Sequence, residues 1–405
     1  MAHCILTSKF NATHFEYALV GGLSISQALL VSPLTTTVRK HIGAQPTLHL
    51  GAVLIFVALL TSSFATKVWH LFLSQGLCFG WGMGFSYVTA AALLPSWFTS
   101  RRSLAVGIAT SGAGVGGLVY SLAVNQMIEE LNVAWAYRII ALSALTANVF
   151  ASLLLQEWRG RNQAVSDELH FAPRDFRRIE VLLIIFWGIA TELGYIILLY
   201  SLPTFASSIG LTLSQGSIAS ALLNLGLAVG RPLVGYFSDS YGRINMAGLT
   251  TLLCAVSCFA IWIPAQSLPP LLLFSLVAGA FCGTFWSTLT PVLAEVVGIH
   301  KLASTQAVVL IALVLPTTFA EGIAMELVSE DSGNMFRRAQ LLVAFMFLAG
   351  SLCLWFLRCW KLFQIRLEVE RNANHVSLTQ SPLTKRSRYW VQWLTPQLLF
   401  SPQRA

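Results

Sequence analysis

The chain has 405 residues, of which 56% are hydrophobic and 10% charged, with a formal charge of +8 and a mean hydropathy of +0.69. A water-soluble domain carries roughly a quarter charged residues to cover itself, so this composition excludes one. Nor does the positive balance point to nucleic acid, because the Lys and Arg residues flank apolar blocks instead of forming one basic face.

A block of about 20 apolar residues crosses the ~30 Å hydrocarbon core of a bilayer. Backbone groups in lipid must be satisfied within the segment, which predicts an α-helix for each block and excludes a barrel, whose strands would alternate in short runs. In chain order the predicted spans cover 17–38, 47–66, 71–94, 103–126 and 135–156, then 180–202, 213–236, 245–263, 268–290, 303–325 and 338–360. The expected fold is an all-α membrane protein of about eleven transmembrane helices. The first block is not read as a removable signal peptide, since its apolar run is too long and continues into Pro33 and a basic loop. A polar stretch holding Arg159, Asp167, Glu168, Asp175 and Arg178 divides the chain. The predicted organisation is an N-terminal bundle of about five spans (1–156), a cytoplasmic linker (157–179), a C-terminal bundle of six spans (180–360) and a cytoplasmic tail (361–405).

Basic residues fall in every second loop: Arg39 and Lys40, Arg101 and Arg102, Arg159 through Arg178, Arg243, Lys301 and the tail from Lys361 to Arg388. Lys67 and the Arg337–Arg338 pair are exceptions. The positive-inside bias places the main set in the cytosol and the N-terminus outside. Asn11-Ala12-Thr13 fits a glycosylation acceptor but sits so close to the first span that it is read as unused. Seven cysteines (Cys4, Cys78, Cys254, Cys258, Cys282, Cys353, Cys359) are scattered without metal-ligand spacing and read as packing residues. No metal site, no cofactor motif and no nucleophile–base cluster emerges, so an enzyme is not expected. The tail from 361 reads as a membrane-surface helix, followed by an apolar piece, Tyr389–Phe400, too short to span.

Trp97-Phe98-Thr99-Ser100-Arg101-Arg102-Ser103-Leu104-Ala105-Val106-Gly107-Ile108-Ala109 opens the fourth span. Its two arginines suit a lipid–phosphate boundary, and Gly107, Gly112, Gly114, Gly116 and Gly117 would let another backbone approach closely; tight packing alone also explains them. This string closely resembles a helix signature of the monocarboxylate porter family of the major facilitator superfamily. Tyr17–Leu23, Gln75-Gly76 with Gly80–Gly84, and Gly116–Leu122 agree with it and are similar to the fungal branch. The resemblance covers roughly 15–360 and implies two helical bundles with a solute site between them. Two similar six-helix halves would leave this chain one span short at its start.

Gly235-Tyr236-Phe237-Ser238-Asp239-Ser240-Tyr241-Gly242-Arg243 resembles the superfamily's loop motif, with Gly235, Asp239, Gly242 and Arg243 at the motif positions. Physically, Asp239 can pair with Arg243 or accept backbone donors at a helix start. The resemblance implies a gate latch to which Arg101 and Arg102 also contribute; a solvated turn pair is the plain alternative. The matching loop in the first half, Val38 to Gly43, keeps the glycine and basic residues but has no acid.

Arg231, followed by Pro232, lies inside the seventh span. A guanidinium at membrane depth costs at least ~2.5 kcal/mol on insertion scales, so it faces a cavity or a partner unless it snorkels. The resemblance implies that it meets a substrate carboxylate, a task its planar fork suits. Asn224, Trp286 and Tyr87 complete the expected substrate-binding set, with Trp81, Tyr195 and Phe285 as further aromatic candidates; Asn224 is as readily a packing residue. Where animal members of the family carry an acid one turn before this arginine, the chain has Leu227, and it lacks the family's first-helix lysine, which argues against simple proton–lactate symport. Glu192, between Gly188 and Gly194 in the sixth span, is the candidate proton-coupling residue instead, with a structural glutamate as the alternative. Glu321 is expected near headgroups or an outer gate.

The function expected is secondary transport of a small organic anion or metabolite, with membrane lipid, the solute and a co-transported proton as partners. Export of a secondary metabolite and vitamin transport are alternatives within the class. A non-transporting solute sensor and an inactive truncated product are alternatives outside it. The plasma membrane is the expected location, with an endomembrane as the alternative; substrate, direction and oligomeric state are not legible.

Overall fold

The computed structural model describes residues 14–98, 101–155, 176–299, 301–327 and 335–377. The Asn11 acceptor, most of the linker and the tail beyond 377 lie outside the described residues. The elements in order are α1 (His14–Leu30), α2 (Ser32–Ile42), α3 (Ala44–Ser62) and α4, which runs from Val68–Leu71 through a π-helical stretch, Phe72–Phe79, into Gly80–Trp97. Next come α5 (Arg102–Glu130), α6 (Val133–Leu154), α7 (Ile179–Ser208), α8 (Leu213–Tyr241) and α9 (Arg243–Ser257, continued by the π-helical Cys258–Trp262). The chain continues with α10 (Leu268–Cys282), α11 (Thr284–Val296), α12 (Leu302–Ala312), α13 (Val314–Glu326) and α14 (Arg337–Ser377).

Among the described residues, ten helical stretches are long and apolar enough to cross a membrane, or eleven when α1 and α2 count as one bent span. The helical membrane class and the number of spans thus agree with the expectation. Their irregularities do not appear in hydropathy. Between α1 and α2 the axis turns by 46°, and Pro33 sits in the first turn of α2, where it has no N–H to offer the preceding helix. The span Leu268–Val296 breaks at Gly283, and Leu302–Ala324 breaks at Leu313. Two other spans carry π-helical turns, which add a residue without leaving the helix.

The turns that follow α2 and α8 are built alike. Gly43 and Gly242, with φ of 89° and 97°, each take a left-handed conformation that a side chain would strain, and each donates back to the helix it ends. At the other end of the molecule, α8 starts with a capping box: Thr212 accepts from the Gln215 N–H and Gln215 from the Thr212 N–H. Asn132 caps α6 by accepting from Trp135 N at 3.1 Å. Arg39, Lys40, Arg101, Arg243 and Lys301 lie at the helix ends gathered around the first pair of turns, hereafter the basic end, and Lys361 within α14 reaches the same end through Glu295.

Helices α2, α3, α4 and α6 pack mainly among themselves and with α1, as α7–α14 do with one another, whereas α5 packs mainly on α8 of the second set. Two seams join the sets. One runs along α5 and α8, the other pairs α13 with α1. The first seam is made by missing side chains: a Cβ on Gly107 would meet the Arg231 carbonyl, one on Gly114 the Ala228 N, one on Gly117 the Asn224 amide, and one on Gly235 the Ser103 carbonyl. Without a hydrophobic force between helices in lipid, such backbone contact is the main source of association. The glycine expectation holds for Gly107, Gly114 and Gly117 but needs correction for Gly112 and Gly116. A Cβ on either would meet nothing within 4 Å among the described residues, because helical spacing turns both away from α8.

The stretch after 361 continues the last span as one helix. Residues 361–377 prolong α14, whose 41 residues make a rod of about 60 Å, roughly twice the hydrocarbon thickness. No glycine or proline interrupts it between Lys361 and Ser377.

Gly114→Ala should destabilise the protein by about 1–3 kcal/mol, the usual cost of forcing a methyl into a filled seam. Gly112→Ala on the same helix should leave stability unchanged. Thermal unfolding of the two variants in detergent distinguishes a glycine seam from a merely glycine-rich helix.

Candidate functional site

Arg231 is 4% exposed, near the middle of the α5–α8 seam. Its Nη1 donates to the Thr110 carbonyl of α5 at 2.6 Å, and its Nε has no hydrogen-bond partner among the described residues. The guanidinium lies against Gly283, the break between α10 and α11, where a Cβ would stand 2.7 Å from Nη2 and 3.1 Å from Nε. Any other residue at 283 would take the space that the guanidinium uses.

Glu192 of α7 is 2% exposed, and its Oε1 is also without a partner. It lies in electrostatic reach of Arg231 and of the Trp286 indole. Tyr195, one turn further along α7, is within hydrogen-bonding reach of Arg231. Tyr87 of α4 sets its ring edge-on to Trp286 of α11 at 5.2 Å, with its hydroxyl buried and unpartnered. Phe285 stands edge-on to Trp286 at 5.3 Å and to Trp187 at 5.0 Å, and its ring fills the space beside Gly188. A cavity of about 350 Å³ among α3, α4 and α6 reaches this cluster at Tyr87 and is also lined by Ser86 and Asn148.

The cluster therefore draws one cation, one carboxyl, two phenols and an indole from α4, α7, α8 and α11, with unpartnered donor and acceptor atoms pointing among them. Chemically it can hold a small acidic or hydroxylated solute: the fork of Arg231 takes an anionic oxygen, Glu192 takes or gives a proton, and the rings cover an apolar body. Of the expected substrate residues, Arg231, Trp286 and Tyr87 meet here, together with Glu192. Asn224 does not. It faces Gly117 on α5 and donates Nδ2 to the Ser220 carbonyl at 3.1 Å, so it serves the seam. Trp81 lies elsewhere as well, donating to Gln27 at 3.2 Å.

At the basic end, the Asp239 carboxylate accepts the Ser103 N–H at 3.1 Å and the Leu104 N–H at 3.0 Å, capping the first turn of α5 from across the seam. Arg243 stands 3.8 Å from Asp239 and 3.8 Å from Glu295 of α11, and Lys361 of α14 donates to the Glu295 carbonyl at 2.9 Å. Gly235 gives the close crossing and Gly242 the turn. Arg101 is exposed, and Arg102 donates to the Phe98 carbonyl at 2.8 Å. Asp239 thus bonds the helix start next to these arginines.

At the opposite end, a Cβ on Gly22 of α1 would strike the Thr318 carbonyl of α13, and Glu321 is 4% exposed against Gly21. Glu321 is buried between helices, not spread among headgroups as one expectation had it. Gly283, Thr110 and Glu295 escape sequence reasoning. A glycine in an apolar span, a backbone carbonyl and a lone acid near a helix end carry no periodic signal.

The family model described as Major Facilitator Superfamily matches residues 1–223 and 182–401. The chain is 30% identical over 396 residues to the probable transporter MCH2 of Saccharomyces cerevisiae, covering 95% of this chain and 84% of that one. It is 25% identical over 388 residues to human monocarboxylate transporter 12, covering 87% and 75% respectively. In fold it is similar to the proton:xylose symporter XylE, with a TM-score of 0.71 and 14% identity over 86% of this chain and 89% of that structure. Multi-pass helices joined by two seams, near-repeated turns and a match along almost the whole sequence lead to one conclusion: the chain belongs to the major facilitator superfamily.

Proposed function

We propose that the protein moves a small organic anion of the monocarboxylate type across a membrane by alternating access, the solute's acidic group meeting Arg231. One observation carries the reading: a buried guanidinium with an unpartnered Nε lies beside a buried carboxyl in a cluster fed by both helix sets. A charge held that deep must be compensated, and a solute carboxylate is a compensating group that can come and go. Similarity to the yeast probable transporter supports transport, and similarity to the human monocarboxylate transporter supports the substrate class. The two bundles of this proposal are 1–156 and 180–360, joined by a cytoplasmic linker. The basic end faces the cytosol by the positive-inside bias, and the plasma membrane is the proposed location.

In the cycle, the Asp239 cap on α5 and the Arg243–Glu295 pair hold the cytosolic side closed, and the α1–α13 contact holds the outer side. Each contact must break for the solute to leave by that side. A carboxylate accepting two backbone donors at a helix start contributes roughly 1–2 kcal/mol, enough to bias the two states without locking one. Glu192 is the proposed proton carrier, placed to exchange charge with the Arg231 site.

Uptake of a labelled panel of monocarboxylates and neutral metabolites into vesicles, with and without a pH gradient, tests the reading. Arg231→Ala should cut flux of the transported acid about tenfold to a hundredfold, the loss of a charged hydrogen bond worth about 1.5–3 kcal/mol; equal flux in both proteins overturns the assignment. Glu192→Gln should flatten the pH dependence while solute binding persists, and an unchanged pH profile removes its coupling role. With Asp239→Asn, the cytosolic closure should weaken by about 1 kcal/mol, read as greater labelling of the α5 start by a maleimide added from the cytosolic side.

A further inference from the structure

Glu321 has no part in the solute site, yet it is buried at the second seam. Its Oε2 makes no hydrogen bond among the described residues, and that atom and the Tyr200 hydroxyl of α7 converge on one point. A Cβ on Gly21 of α1 would stand 3.0 Å from the first and 3.1 Å from the second. One turn away on α13, Thr317 and Thr318 present carbonyls to Gly22, so the backbones already touch one turn from the carboxyl. On the outward side the Phe15 ring of α1 covers Gly322. The carboxyl is thus sealed on all these sides when α1 and α13 are together.

The groups around it are few. Tyr200 faces it from α7, and α1 presents the bare backbone of Gly21. The nearest acids along the chain, Glu16 on α1 and Glu326 on α13, each lie five residues further toward their helix ends. No Lys, Arg or His faces it among the described residues. An ionised carboxylate closed into such a place is a buried charge without a counter-charge, whereas the neutral acid is only a buried hydroxyl and carbonyl. Separation of α1 from α13 returns the group to water.

We propose that Glu321, with Tyr200 and Gly21, is a proton-operated closure at the end opposite the basic loops, sealing when the carboxyl holds a proton and parting when it is ionised. The carboxyl takes its proton from water on that side while the seam is parted and gives it back there on reopening. The chain therefore carries two separated acids, Glu192 at the solute site and Glu321 at the outer seam. Tyr195 and Tyr200 lie between them on α7, in electrostatic reach of each other. The inference rests on the transport reading only in calling this side a gate.

Spin labels at Phe64→Cys, beyond α3, and Ser208→Cys, at the end of α7, report separation of the two helix sets at this end without touching the seam, since both positions are exposed. Cys4, Cys78 and Cys353 are first replaced by alanine; Cys254, Cys258, Cys282 and Cys359 are buried. Distance distributions are measured by pulsed electron spin resonance on full-length protein in vesicles, without any solute, in neutral and mildly acidic buffer. The wild type should shift from long toward short distances on acidification, and Glu321→Asp should keep that shift. Glu321→Gln should show the short distances in both buffers, and Gly22→Ala, whose methyl would strike the Thr318 carbonyl, the long ones in both. A wild type indifferent to pH, or a Glu321→Gln protein that still responds as the wild type does, overturns the inference. Because no solute is needed, solute flux without a distance response sinks this closure alone. A response without flux of any acid keeps it and sinks the transport reading.

Discussion

A guanidinium withdrawn from water needs either a partner or a reason to be there, and Arg231 has only part of a partner. One of its five donors is spent on a backbone carbonyl of α5, while the carboxyl that could balance its charge, Glu192, stands in electrostatic reach without an ion-pair contact among the described residues. Had the two closed into a tight pair, the site would be neutral, satisfied and inert. Held apart, they leave a field in a low-dielectric interior, and that is what a charged solute would respond to. The break at Gly283 follows from the same constraint, since the guanidinium occupies the volume a side chain would otherwise fill.

The glycines of α5 set how near α8 can come, and so where Arg231 sits. Gly107 lies against the Arg231 carbonyl itself, so the residue that carries the charge is also a contact point of the seam. Asp239 then ties the end of α8 to the first turn of α5. One helix pair therefore carries the charge, the close approach and the Asp239 tie. Displacement along this seam acts on all three at once.

How much of this could be read from the residues depends on the range of the interaction. Blocks of apolar residues fix class and span number, because the bilayer imposes one length on every crossing. The loop motif around Asp239 was legible because its partners are local in type: Arg243 one turn on, and any exposed helix start. Arg231 stood out because a cation inside an apolar block is rare. Its surroundings did not, since Thr110 contributes a carbonyl and Gly283 an absence, and neither is marked by residue type. Asn224 misled for the converse reason. An amide at membrane depth looks like a ligand group, but its own helix and the groove at Gly117 satisfy it. The bend before Pro33 has a local cause, a proline inside the span expected over 17–38.

That bend has a mechanical consequence. A straight helix transmits tilt along its whole length, so loosening one extremity would swing the other. In the first crossing, however, α1 holds α13 while α2 rests on α3, α4 and α12, and a 46° elbow separates them. In the cycle proposed above, such an elbow would let α1 swing off α13 while α2 keeps its place, so the two entrances of that cycle need not move as a rigid seesaw.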